Sequence, residues 1–289
     1  MAAATCLADE GFEVTVLEKN DSPGGRARVF EAEGFKFDMG PSWYWMPDVF
    51  EGYFKRFGKK TSDYYQLVRL DPSYSVVFSE NEMVDLPAGI ENIANLFETY
   101  EPGSGQKLRE FLQQAAYKYE VGMNKFVWKP SLSITEFLSL QLLTDLMRLD
   151  VLQSFHGHLR KYFQPEKILK LMEFPILFLG AIPQNTPAMY SLMNYADISM
   201  GTWYPMGGMH EIVKGMVRLA EEKGVRFRYN ENVQRVETTG QTARRVLTQS
   251  GAFEADVVVA GADYHHVENN ILGTEKRNYD EAYWKRRAM

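Results

Sequence analysis

The chain has 289 residues, of which 45% are hydrophobic and 24% charged, and its formal net charge is -6. At about 150 residues per domain, this length predicts two domains or one large α/β unit. The acidic balance excludes nucleic acid as an expected partner, because a phosphate backbone attracts basic surfaces. A single cysteine, Cys6, excludes an internal disulfide and favours a reducing compartment, so we expect a cytoplasmic protein.

The apolar segments are too short to cross a bilayer. Residues 174–183 (FPILFLGAIP) contain two prolines, whereas a spanning helix needs about 20 apolar residues. Aromatic residues nevertheless make up 13% of the chain, and methionines number 14. These large apolar side chains suit a protein that lies on a membrane surface, so we expect peripheral membrane association.

The N-terminal stretch predicts a helix, a strand and a hairpin in that order. Alanine-rich residues 2–10 predict a helix that ends at Gly11, and residues 13–18 (EVTVLE) have the length and apolar character of a buried strand. Turn-forming residues fill positions 20–25, and residues 26–38 can pair as a hairpin.

The rest of the chain predicts a helical middle followed by a return of α/β character. Two extended pieces, 74–78 and 82–86, precede a stretch from Ile90 to about Tyr195 with apolar residues at helical spacing. Those residues are Phe111, Ala115, Val121, Ile134, Leu138, Leu142 and Leu146. A helix is then predicted from His210 to Lys223, and it ends at Gly224. Strands are predicted at residues 225–229, 232–237, 244–247 and 256–260.

Strand-rich sequence at both ends predicts one nucleotide-type α/β domain built from two distant segments, with a largely helical domain inserted between them. We expect the two segments at residues 1–72 and 206–265, and the inserted substrate and membrane-facing domain at residues 73–205. Residues 266–289 would begin a C-terminal part.

Glu18 is the first candidate ligand residue, because it ends a predicted strand. In a dinucleotide-binding βαβ unit, such a carboxylate accepts hydrogen bonds from a ribose about 20 residues after a glycine-rich turn. Only 17 positions precede Glu18, and they contain no G-x-G-x-x-G. We therefore expect the first strand and its phosphate loop to be missing; a solvated strand end is an equally simple interpretation of Glu18 alone.

Three further stretches combine glycines with polar or aromatic residues. Gly24 and Gly25 allow close backbone approach to a ligand, and Arg26 offers a positive fork, although a hairpin turn and a solvated arginine explain the same residues. Residues 37–45 place Asp38 and Ser42 among aromatic side chains. This arrangement suits the binding of a ring system, and it is equally typical of an ordinary hydrophobic core. Residues 201–210 place glycines at a helix start. Free backbone amides there can face a cofactor, although a plain turn into the helix explains the same residues.

Several common kinds of site lack support. The five histidines form no i, i+4 pair with acidic help, so we expect no metal. No G-x-S-x-G elbow and no G-x-x-x-x-G-K-[ST] loop occurs, which argues against an α/β-hydrolase and a P-loop enzyme. No catalytic residue is marked by the sequence.

Taken together and in order, four stretches resemble the bacterial-type phytoene desaturases, which are flavoproteins of carotenoid biosynthesis within the amine-oxidase-like superfamily. The stretches are VTVLEKNDSPGGRARVFEAEGFKFDMGPSWY, PQNTPAMYSLMNYAD, GTWYPMGGMHEIVKGMVRLAEEKGVRF with NENVQRVE, and ADVVVAGAD. The resemblance covers nearly the whole chain. It implies an α/β fold with a Rossmann-like FAD-binding domain, lacking its first strand and glycine loop, and an inserted helical substrate domain.

The resemblance also implies where FAD binds. Glu18 would lie at the adenosine ribose, and Gly24, Gly25 and Arg26 near the pyrophosphate and ribityl chain. The remaining implied contacts are Gly40, Pro41, Ser42 and Trp43 near the flavin, Gly207 and Gly208 by the isoalloxazine, and the Val233 backbone at the adenine. The family begins and ends with segments that this chain lacks, so we expect an N- and C-terminally truncated fragment.

The implied reaction is desaturation of an apolar polyene precursor such as phytoene. Such a substrate has no charged handle, so burial of apolar area, at about 25 cal/mol per Å2, must bind it. Candidate channel residues are Leu138, Leu142, Leu146, Phe155 and residues 174–179. Candidate contacts to anionic lipid headgroups are Arg148, Arg160, Lys161, Lys167 and Lys170. An ordinary core with a solvated basic face explains the same residues.

Three alternatives stay open at this point. The chain could be an inactive fragment with exposed sheet edges. It could be a related flavoprotein that isomerises carotenoids or oxidises amines. It could also be a module that binds carotenoid or a lipid surface without turnover.

Overall fold

The computed structural model describes residues 1–129, 133 and 149–287. The chain forms two compact units, of which the first combines Met1–Gly40 with His210–Met289 and the second is Pro41–Met209. The first change of unit thus falls before the predicted boundary at residue 72. The physical reason is strand pairing, because residues 67–69 pair with residues 203–205 within the second unit.

The described helices are α1 (Ala2–Asp9), α2 (Pro47–Arg56), α3 (Ile90–Glu98), α4 (Ser104–Val121), α5 (Phe155–Leu159), α6 (Glu166–Glu173), α7 (Leu192–Asn194), α8 (His210–Glu222), α9 (Tyr264–His266) and α10 (Glu281–Lys285). The described strands are β1 (Thr15–Leu17), β2 (Val29–Ala32), β3 (Phe35–Asp38), β4 (Leu67–Arg69), β5 (Tyr74–Ser79), β6 (Glu82–Leu86), β7 (Trp203–Pro205), β8 (Arg226–Arg228), β9 (Val233–Thr239), β10 (Thr242–Thr248) and β11 (Ala252–Glu254).

The first unit contains a parallel pair, β1 with β8, an antiparallel sheet in the order β11-β10-β9, and the hairpin β2–β3. Both predicted helices of this unit are confirmed, and Gly11 and Gly224 follow them with φ of 92° and 90°. Its apolar cluster consists of buried Val236, Val246, Val267 and Ile271, with half-buried side chains such as Leu17 and Val258 around them.

Two strand predictions in this unit need correction. The strand predicted at residues 13–18 is shorter and not buried throughout: Thr15 is exposed, and β8 is its neighbour in the described chain. Residues 256–260 form no strand. The chain leaves the sheet after β11, and Val257 and Val259 are 71% and 62% exposed, so the apolar run has no strand partner among the described residues.

The second unit is largely helical, as predicted, with the hairpin β5–β6 and the pair β4–β7. Its main core is aromatic and aliphatic, and Phe97, Phe111 and Phe163 in it are fully buried. Phe155 is also fully buried there, so it is a core residue rather than part of a channel wall. The predictions for Ile134, Leu138, Leu142, Leu146 and Arg148 lie outside the described residues.

Candidate functional site

The carboxyl ends of β1 and β8 meet at one edge of the first unit. The Glu18 amide donates to the Arg228 carbonyl at 2.9 Å, and the Glu231 amide donates to the Glu18 carbonyl at 2.8 Å. One step further along, the Asn230 amide donates to the Asn20 carbonyl at 2.9 Å. The two parallel strands therefore end side by side, which is the edge at which open α/β sheets bind ligands.

The Glu18 carboxylate is held in place by the turn that follows it. Its Oε1 accepts hydrogen bonds from the Asn20 amide at 2.9 Å and from Asn20 Nδ2 at 2.8 Å. Both bonds reach the same oxygen, which leaves Oε2 to accept from a ligand hydroxyl. A half-buried carboxylate fixed in this way suits a ribose diol.

Two polar grooves flank this edge and share Asn20 and Asn230. One has a volume of about 520 Å3 and is lined by Lys19, Asn20, Asn230, Asn232, Gln249 and His266. The other, of about 410 Å3, is lined by Asn20, Asp21, Ser22, Arg28, Val29, Phe30, Met39 and Asn230. Amide side chains and cationic residues on these walls fit the sugars and phosphates of a nucleotide better than a hydrocarbon.

The Gly24–Arg26 turn packs against the start of α8. Gly24 has φ of 116°, and a side-chain carbon there would lie 3.3 Å from both methyl groups of Val213. The His210 ring nitrogen Nδ1 lies 3.1 Å from the Ala27 carbonyl oxygen. Glycine is therefore required at position 24 both by its backbone conformation and by the helix beside it.

Arg26 extends from this turn into solvent. Its side chain is 96% exposed, and Nη2 lies 3.9 Å from Asp263 Oδ2. An exposed pair at this separation is worth little, so the guanidinium is free to bind an anionic ligand at small cost.

Gly40 closes the hairpin against the same turn. A side-chain carbon on Gly40 would overlap the Arg26 carbonyl oxygen and lie 3.1 Å from the Arg26 carbonyl carbon. Both obstacles are backbone atoms, which cannot rotate away. The close approach of two backbone segments explains the glycine and fixes the end of β3 beside the Gly24–Arg26 turn.

The other predicted ligand residues divide between the units. Val233 begins β9, which is an edge strand of its three-stranded sheet in the described chain, and it pairs with Thr248. Its backbone is thus placed where a ligand can reach it. Pro41, Ser42, Trp43, Gly207 and Gly208 belong to the second unit.

Some residues of the site were missed at the level of sequence. Asn230 has φ of 59° and lines both grooves. His210 contacts the Ala27 carbonyl oxygen, directly after the Gly24–Arg26 turn. The sequence carried a signal for each of these two residues. An asparagine just after a strand, such as Asn230, favours a left-handed turn, and His210 follows two glycines at a helix start.

These observations fit a flavin nucleotide. The first unit supplies a fixed carboxylate at a strand end, glycines that let backbone segments approach closely, an exposed arginine and polar grooves. In the part of the chain that the structure describes, no group of three or more His, Cys, Asp or Glu residues is placed to hold a metal ion.

Comparison with known proteins decides the family. The family model described as flavin containing amine oxidoreductase matches residues 1–289. The chain belongs to this family. The predicted α/β fold class and the flavin cofactor of the family are thereby confirmed.

Carotenoid desaturases are among the relatives of this chain. The chain is 39% identical to carotenoid 3,4-desaturase of Haloarcula japonica, over 98% of the chain and 58% of that protein. It is 33% identical to zeta-carotene-forming phytoene desaturase of Myxococcus xanthus, over 94% of the chain and 53% of that protein. The predicted resemblance is thus confirmed, and the chain spans little more than half the length of these relatives.

The fold also resembles solved structures. An oxidoreductase from Methanosarcina mazei matches 98% of the chain and 61% of its own chain, with a TM-score of 0.60 and 15% identity. This likeness supports the architecture alone.

Proposed function

We propose that this flavin-containing oxidoreductase desaturates a carotenoid precursor such as phytoene with FAD as its oxidant. The observation that carries the proposal is the 39% identity to a carotenoid 3,4-desaturase over 98% of the chain. In this reaction two C–H bonds of the substrate break and one C=C bond forms. One hydrogen leaves with two electrons as a hydride equivalent, and the other leaves as a proton.

Bound FAD would supply the acceptor for the hydride equivalent. In a Rossmann-like arrangement, Glu18 would accept hydrogen bonds from the ribose, while Arg26 and the amides of Gly24 and Gly25 would hold the pyrophosphate. The further proposed contacts are Gly40, Pro41, Ser42 and Trp43 at the flavin, Gly207 and Gly208 at the isoalloxazine, and Val233 at the adenine.

Turnover of phytoene tests the proposal. The flavin-loaded protein, incubated with phytoene and an electron acceptor, is expected to form products with more conjugated double bonds, because each desaturation extends the polyene. The measurement is the visible absorbance of the extracted products. A colourless reaction by protein with bound FAD would contradict desaturation and favour carotenoid isomerisation or amine oxidation.

We also propose that residues 174–183 touch a membrane surface. Leu177 and Ile182 in this segment are 60% and 57% exposed, which is unusual for large apolar side chains so close together. In the described part of the chain, no helix has the length and apolar character needed to cross a membrane. Exposed apolar side chains of this kind can enter the boundary between the headgroups and the acyl chains of a bilayer.

The basic residues predicted to contact lipid headgroups already have partners within the protein. Lys167 and Arg160 form ion pairs with Glu82 and Glu166. Lys170 lies 3.3 Å from Glu173, and Lys161 donates to Gln153 at 2.7 Å. These acidic and amide partners reduce the attraction of the four cations for anionic lipid.

Liposome flotation tests the proposed membrane contact. Replacing Leu177 and Ile182 by aspartate is expected to abolish flotation with neutral vesicles, because two charges would enter the apolar boundary. The matched control replaces Val77, which is 68% exposed on β5, by aspartate. Flotation that survives the Leu177 and Ile182 changes would contradict the assignment of this segment.

A further inference from the structure

The second unit contains a row of aromatic rings, here called the aromatic wall, made of Trp43, Trp45, Tyr74, Phe174 and Phe178. Neighbouring rings are in contact, with centroids 5.3 Å apart for Trp43 and Trp45, 5.6 Å for Trp43 and Phe174, and 4.4 Å for Tyr74 and Phe174. Phe178 extends the row edge-on to Trp45 at 6.4 Å and is itself 53% exposed. The row therefore runs from half-buried to exposed positions.

One buried carboxylate anchors two members of the aromatic wall. The Tyr74 hydroxyl donates to Asp197 Oδ2 at 2.7 Å, and the Thr202 hydroxyl donates to Asp197 Oδ1 at 2.7 Å. Trp45 Nε1 in turn donates to the Thr202 oxygen at 2.8 Å. The polar ends of Tyr74 and Trp45 are thus bound within the protein, and both side chains are half-buried.

Burial of the ionised Asp197 carboxylate destabilises the fold. It is 2% exposed, and its hydrogen-bond donors are neutral. Burial raises its pKa to about 6, although hydrogen bonds from Tyr74, Thr202 and Trp45 act in the opposite direction. An asparagine could accept a hydrogen bond at this position without the cost of a buried charge. A retained buried charge without a cationic partner in the described chain points to a functional use.

We propose that Asp197 is a positioning residue whose negative charge orients Tyr74 and Trp45, so that the aromatic wall binds the unsaturated hydrocarbon and favours positive charge on it. This inference rests on the proposed desaturation. Loss of a hydride equivalent from an allylic position leaves a delocalised cation before the proton departs. Aromatic faces carry negative electrostatic potential and attract cations, and the carboxylate behind them adds to that field.

The aromatic wall also suits the uncharged substrate. A polyene offers no hydrogen-bonding group, so its binding depends on apolar area and on contact with flat π surfaces. The exposed end at Phe178 lies beside the exposed Leu177, where an apolar chain can enter from a lipid surface. One surface thus serves both the neutral substrate and the cation that forms from it.

Asp197→Asn in the flavin-loaded protein removes the negative charge and keeps one of the two acceptor oxygens. We expect kcat to fall about tenfold at pH 8 with little change in KM, because the charge acts on the developing cation. Wild-type kcat should decline as the pH falls through about 6, where the carboxylate is protonated. Of the groups that hydrogen-bond to Asp197, only Tyr74 titrates, and burial raises its pKa well above its ordinary value, so it stays neutral. The variant should lack this decline.

A stability measurement excludes a merely structural role. The pKa of Asp197 is higher in the folded chain than in the unfolded chain, so its ionisation weakens folding as the pH rises through about 6. The unfolding midpoint of Asp197→Asn should therefore lack the fall that the wild type shows as the pH rises toward about 6. A lowered midpoint with an unchanged pH profile would show that the carboxylate only supports the fold and would overturn the proposal.

Binding tests the aromatic wall independently of turnover. A conjugated polyene is expected to quench tryptophan fluorescence, and Trp45→Phe should reduce the quenching, leaving only the part due to Trp43 and more distant tryptophans. Trp128→Phe is the matched control, because Trp128 is 79% exposed and lies outside the aromatic wall. Equal quenching in both variants would overturn the assigned surface. A wild-type protein that binds the polyene through Trp45 without oxidising it would instead contradict the proposed function.

Discussion

Replacing Gly40 with alanine is expected to lower the free energy of unfolding by about 3 kcal/mol or more. The added methyl group would overlap the Arg26 carbonyl oxygen, and the nearest other atoms are also backbone. To relieve this overlap, the hairpin β2–β3 and the Gly24–Arg26 turn would have to separate. Since that turn bears the proposed pyrophosphate ligands, loss of bound flavin should accompany the loss of stability. Urea unfolding followed by circular dichroism measures the first effect, and flavin absorbance measures the second.

The matched control is Gly261→Ala in the same unit. A side-chain carbon on Gly261 meets no atom within 4 Å, and its φ is not in the left-handed region. We expect this variant to remain within about 0.5 kcal/mol of the wild type. Similar unfolding midpoints for the two variants would contradict the close approach of Gly40 to Arg26.

Replacing Glu18 with glutamine should weaken FAD binding about 10-fold to 100-fold. Glutamine keeps one carbonyl oxygen to accept both bonds from Asn20, but it replaces the second carboxylate oxygen with an amide that cannot accept a bond from ribose. Loss of a hydrogen bond to a charged group costs about 1.5–3 kcal/mol, which corresponds to this range of affinity. Titration of FAD into the apoprotein measures the change.

Glu13→Gln provides the control for charge. Glu13 lies on the same N-terminal segment, is 78% exposed and forms an ion pair with Arg226. Its neutralisation changes the net charge by the same amount as that of Glu18, and we expect the FAD affinity to be unchanged. An equal loss of affinity in the two variants would attribute the effect to overall charge and remove Glu18 from the site.

Local turn chemistry made part of the site predictable. Residues 20–25 consist of turn formers that directly follow a short apolar run, so both the strand end at Glu18 and the turn at Gly24 were indicated by neighbouring residues. The α8 helix was equally clear, because its apolar periodicity ends at Gly224.

Other features depend on residues far apart in the chain. Asp197 and Tyr74 are 123 positions apart, and no local pattern connects a lone aspartate in a helical stretch to a tyrosine on β5. The prediction of a strand at residues 256–260 was wrong for a related reason. Its composition favours a strand, but a strand also needs a neighbour, and the described chain places none beside Val257 and Val259.

The two units offer different chemistry. The first presents amide, carboxylate and guanidinium groups around the ends of β1 and β8, which suits a nucleotide. The second presents aromatic rings whose polar ends are bound internally, which suits a hydrocarbon. This division matches a reaction in which a polar cofactor oxidises an apolar substrate.

We propose that the edge formed by Glu18 and the Gly24–Arg26 turn holds a flavin nucleotide. The flavin content of the purified protein, measured by absorbance after addition of FAD and removal of the excess, tests it most directly. We expect one FAD per chain in the wild type. Wild-type protein that is folded by circular dichroism and retains no FAD would contradict it.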